Sequence, residues 1–124
     1  MTLQEFPKLL FSESFSSKDM ERAKSNGRLT HVVVELANGE RYPVLFYTLT
    51  GLSEELTAEE TIGNQFVAEP GMILVKEINM EIMLRALQVM EKQQYFCCMR
   101  PLKRGPIEAY IRQMAWPPFK EFYA

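Results

Sequence analysis

Few side chains in this sequence could do chemistry, and their spacing limits which chemistry. There is one histidine, His31, one aspartate, Asp19, and a single pair of cysteines, adjacent at Cys97 and Cys98. A nucleophilic cysteine needs a base within hydrogen-bond reach, so a Cys–His pair would have to join Cys97 or Cys98 to His31. All three fall in segments that read as strands, where a cysteine is ordinarily a buried structural thiol. Adjacent strand side chains point to opposite faces, so the two thiols are expected to be reduced, buried and not bridged to each other. His31 is expected to be a strand residue on the less apolar face.

Metal chemistry has less support still. No Cys-x-x-Cys or His-x-x-x-His spacing occurs, so neither a metal nor another cofactor is expected. The Gly-x-x-x-x-Gly-Lys and Gly-x-Gly-x-x-Gly phosphate loops are absent as well. Paired carboxylates occur at Glu54-Glu55 and Glu59-Glu60, in a stretch with no acid or base of another kind beside them. That is weak support for glycosidase-type catalysis.

Two charged surfaces remain. From Pro43 to Val75 the chain carries five glutamates (Glu54, Glu55, Glu59, Glu60 and Glu69) and no lysine or arginine. From Gln93 onward it carries five basic residues (Arg100, Lys103, Arg104, Arg112 and Lys120) against Glu108 and Glu121. An acidic surface suits a basic protein partner through electrostatic complementarity. The aromatic tail, Trp116 with Phe119, Phe122 and Tyr123, either docks on the domain's own core or faces a partner. Glu54, Glu55, Glu59, Glu60 and Trp116 are therefore the expected partner-binding residues. Arg100, Lys103 and Arg104 form the alternative, an anion site just before a helix whose N–H groups carry partial positive charge.

These residues need elements to hold them. Leu29 to Leu49 is two apolar runs joined at Ala37-Asn38-Gly39, a β-hairpin signal. With a three-residue loop and Gly39 left-handed, Val32, Val34 and Leu36 share a face with Tyr42, Val44 and Phe46. The other face then pairs Glu35 with Arg41 and His31 with Leu45. Pro43 has no N–H to donate, so the second strand should be an edge there or locally irregular. Before the hairpin, Ser17 to Ser25 reads as a short surface helix stopped by Asn26-Gly27. After it, 51–65 reads as a structured surface loop, with Ser53 and Thr57 able to cap short turns. Gly71–Ile78 reads as a strand covered on both faces. Asn79 caps a largely buried helix, 80–92, whose methionines are core filler. Tyr95–Met99 reads as a fourth strand, parallel to the third across that helix. Pro106 opens a last helix, which Pro117-Pro118 ends.

Composition sets the class. The chain has 124 residues, 47% hydrophobic and 24% charged, with a formal net charge of −2. That fits one globular domain over residues 1–124. No apolar run approaches the roughly 20 residues that span a bilayer, and the N-terminus lacks a basic-then-apolar signal, so a cytoplasmic protein without membrane contact is expected. An acidic chain argues against nucleic-acid binding. The expected fold is α+β: a mixed four-stranded sheet, made of an antiparallel hairpin plus a β-α-β unit, with helices packed on the sheet. The expected function is a small non-catalytic protein-interaction domain of the inhibitor, immunity or adaptor type. The alternative is a small-ligand or anion-binding domain, or a weak enzyme, with the basic loop at a helix N-terminus. Self-association through a bare sheet edge or the tail is a further route.

Overall fold

The structure is a computed structural model describing residues 7–69, 71–98 and 119–122. Strands β1 (Lys8–Ser12), β2 (Arg28–Glu35), β3 (Arg41–Tyr47), β4 (Met72–Leu74) and β5 (Phe119–Glu121) form one sheet in the order β4-β3-β2-β1-β5. β3 and β4 run parallel, and the other neighbours are antiparallel. The helices are α1 (Ser17–Asn26), α2 (Leu49–Thr61) and α3 (Met80–Lys92), followed by a 3-10 turn at Tyr95–Cys98. This is the α+β class with a mixed sheet, five strands rather than four.

The hairpin register follows from side-chain segregation. Val34 lies opposite Tyr42 and Val32 opposite Val44, with Glu35 opposite Arg41. Leu36 N–H donates to Glu40 C=O at 2.9 Å across the loop 37–39, in which Gly39 has φ 87°. That geometry makes Pro43 a non-hydrogen-bonded position towards β2, so its missing N–H faces the other side of β3. β4 reaches only as far as Leu45, so Pro43 faces no strand of the described residues on that side. The register breaks farther along, between Leu29 and Val32. His31 sits in this bulge with φ 61°, exposed, and is not opposite Leu45 as the unbroken register requires.

One face of the sheet carries the main core. Leu9, Phe11, Val32, Val34, Val44 and Phe46 pack there with Met20 and Ala23 of α1 and Met83 and Leu87 of α3. Three local rules place those helices. Ser16 caps α1 in a reciprocal box with Asp19, and Gly27, left-handed at φ 73°, ends it. Asn79 caps α3 by accepting from Ile82 N–H at 2.9 Å. The opposite face is also closed, with Leu10, Val33, Leu45 and Tyr47 all buried. α2 lies on that side, since Arg28 and Tyr47 face away from the core and Arg28 pairs with Glu55 of α2.

Several expectations change. The 51–65 segment is mostly helix, capped one turn earlier than read, by Thr48. Gly51 masks this start from propensity alone, yet the helix needs a glycine there, because Gly51 packs directly on the backbone of Gly27. The parallel crossover is therefore β3-α2-β4 and not a unit built around α3. β4 is a three-residue edge strand with Met72 and Leu74 exposed, not a strand covered on both faces. Tyr95–Cys98 is a 3-10 turn: the chain reverses at Gln94, with φ 61°, and Phe96 turns inward, its ring 5.2 Å from that of Tyr42. Cys97 is accordingly exposed rather than buried. α3 has the expected bounds, but only Met83 and Leu87 are buried on it.

β1 goes unread in the sequence. Its apolar run, Leu9-Leu10-Phe11, is buried on both faces, and such a short run has no period to distinguish strand from helix. At the other edge β5 pairs with β1, and Phe122 packs its ring 5.5 Å from Phe11 and 5.0 Å from Phe15. A Lys8–Glu121 ion pair at 2.9 Å joins the same two strands. This part of the aromatic tail docks on the domain itself. Tyr123 lies outside the described residues.

Candidate functional site

The acidic surface is built on α2. Thr48 ties its first turn to the end of α1: its N–H donates to Gly27 C=O at 2.8 Å and its hydroxyl to the same oxygen at 3.3 Å. The hydroxyl oxygen also accepts from Gly51 N–H at 3.1 Å, capping the helix. Only Gly51 is buried along the helix, so most of its circumference faces solvent. It contains four glutamates and no basic residue.

The four glutamates are not equivalent. Glu55 pairs with Arg28 of β2 and holds α2 to the sheet. Glu59 accepts from the Asn64 side-chain amide at 2.6 Å, and its carbonyl accepts from Asn64 N–H at 3.0 Å, which closes the C-terminal turn. The side-chain carboxylates of Glu54 and Glu60 are exposed and make no hydrogen bond or ion pair among the described residues. The expected set thus divides into two structural carboxylates and two outward ones. Just past the end of α2 in the chain come two exposed apolar side chains that sequence reasoning passed over, Ile62 at 73% and Phe66 at 66% exposed. Their signal was legible: an isoleucine and a phenylalanine inside a polar stretch, without the alternation that would bury them.

Carboxylates on this side of the sheet also act on Tyr47. Burial raises its hydroxyl pKa above the ordinary value, and the negative charges of Glu69 and Glu55 add to the rise. Tyr42, whose hydroxyl donates to Glu40 at 3.0 Å, is raised chiefly by burial too. Cys97, in the turn that packs Phe96 on Tyr42, adds a smaller upward push on the Tyr42 hydroxyl. His31 projects from its bulge, and its side chain makes no hydrogen bond among the described residues. No group of three or more His, Cys, Asp or Glu side chains among the described residues could hold a metal ion. Among those residues no helix is long and apolar enough to cross a membrane.

Trp116, and the alternative anion-binding residues Arg100, Lys103 and Arg104, lie outside the described residues. No protein-family model matches the chain, and no curated protein or solved structure matches it.

Proposed function

We propose that the protein is a non-catalytic protein-interaction domain, acting in the cytoplasm, that presents α2 to a basic partner. The observation that carries this reading is the outer side of α2. Glu54 and Glu60 point to solvent, no cation on the helix offsets them, and exposed Ile62 and Phe66 lie just beyond its end. An apolar centre next to unpaired carboxylates is the usual composition of an interface whose charges steer encounter and whose aromatic group anchors it. Glu55 and Glu59 belong to the scaffold that holds this surface.

The test is capture of a partner from the native organism by the intact protein and by two variants. Glu54→Lys with Glu60→Lys should abolish capture and leave the folded state intact, since neither carboxylate supports the fold. Phe66→Ala should weaken capture while leaving its salt dependence unchanged. Retention of the partner by the charge-reversed protein, at unchanged salt sensitivity, would refute the assignment.

A further inference from the structure

The second exposed apolar region is the open edge of the sheet at β4. Parallel pairing to β3 directs the backbone groups of Ile73 inward, between the bonds Leu45 N–H to Gly71 C=O at 3.0 Å and Val75 N–H to Tyr47 C=O at 2.8 Å. The N–H and C=O of Leu74 therefore point outward, together with the C=O of Met72, and no strand among the described residues pairs with them. The Met72 N–H is already held by Glu69 C=O at 3.3 Å.

Alongside this edge runs a groove of ≈650 Å³ between β4 and the flank of α3. Ile82, Ala86 and Val89 supply the helix wall, at spacings that put them on one side of α3. Leu74 is 54% and Val89 43% exposed. The lining contains two cations, Lys76 and Arg85, and no carboxylate. Neither cation has an ion-pair partner among the described residues. The chain leaves β4 at Lys76 and turns back into α3, so Lys76 and the first half of the helix, with Arg85, share one end of the groove. Val89 and Tyr95 lie towards the other.

We infer that this groove receives an extended acidic peptide segment of a partner protein, added as a further strand on β4. Main-chain bonds to Leu74 would supply affinity, and side-chain pockets specificity. An added strand presents alternate side chains to its two faces. One set meets Ala86 and Val89, and the other lies beside Met72 and Leu74, which point away from α3. Both sets therefore meet apolar neighbours. A carboxylate at the Lys76–Arg85 end completes the match. The acidic surface of α2 carries the opposite charge and would select different sequences.

A random peptide library displayed on phage, panned against the full chain, tests the inference. The selected sequences should alternate apolar side chains and carry Asp or Glu at one end. Leu74→Pro removes the outward N–H and no bond to β3, so the fold survives and affinity falls by roughly tenfold or more. Lys76→Glu with Arg85→Glu should weaken the acidic peptides by a similar factor and favour basic ones. Glu54→Lys with Glu60→Lys should leave both peptide affinities unchanged, which separates this site from the α2 surface. The inference falls if no sequence is enriched, if selected peptides lack acidic residues, or if they bind the Leu74→Pro protein equally well. It also falls if light scattering shows a dimer that the Leu74→Pro change dissociates, for then the edge belongs to a second copy.

Discussion

Replacing Gly51 by alanine sets two physical effects against each other. Gly51 lies in the first turn of α2, and glycine in a helix costs about 1 kcal/mol relative to alanine, so propensity alone makes the substitution stabilising. Packing acts the other way. A Cβ at Gly51 would overlap the carbonyl carbon and oxygen of Gly27 and lie 3.0 Å from the carbonyl oxygen of Asn26. All three atoms are backbone, fixed by the left-handed end of α1 and by the Thr48 bonds to Gly27, so no rotamer change relieves the overlap. Moving α2 away gives up that tie and disturbs the Thr48 cap, worth about 1 kcal/mol. Overpacking against a well-fixed neighbour costs about 1–3 kcal/mol. The net expectation is a loss of roughly 1–3 kcal/mol, a fall in Tm of roughly 3–6 °C per kcal/mol at this size. Urea unfolding followed by circular dichroism reads the change, with Ala58→Gly on the exposed side of the same helix as the propensity control. A Gly51→Ala protein as stable as the parent, or more so, would show that the α1–α2 contact does not constrain the helix.

Two further expectations concern single residues. His31 holds φ 61° at the bulge and its imidazole makes no hydrogen bond among the described residues, so His31→Gly should leave stability unchanged or raise it slightly, whereas His31→Val should lower it by about 1–2 kcal/mol. Thermal melts of the two variants decide this, and equal losses in both would mean the imidazole itself supports the fold. Tyr47 holds its proton to higher pH when folded than the ordinary value of 10.0. Its contribution is thus complete below about pH 10 and is lost as pH rises through the folded pKa. Tyr47→Phe should flatten the fall in stability over that alkaline window, and an unchanged slope would remove Tyr47 as its cause.

The readable parts of the sequence were those whose signals are local. Asn26-Gly27 stops α1, Asn79 starts α3, and the Ala37-Asn38-Gly39 loop with its flanking alternation sets the hairpin register up to the bulge. Pro43 shows where β3 meets no further strand. The four glutamates could be recognised as a surface, because no cation lies among them. Which of them hold α2 and which face outward could not, because Arg28 and Asn64 become their partners only when the chain folds.

By itself, then, the sequence determined the α+β class, the hairpin and two capped helices, since each rests on residues within a turn or two of one another. Tertiary structure decided the rest, through contacts distant in sequence. It placed Leu9-Leu10-Phe11 inside the sheet, where burial on both faces leaves no periodic pattern to read. It made 49–61 a helix despite Gly51, because only a glycine fits against Gly27. It left Met72 and Leu74 at an open edge although their run is as apolar as a covered strand, because strand order is fixed by long-range pairing rather than by composition.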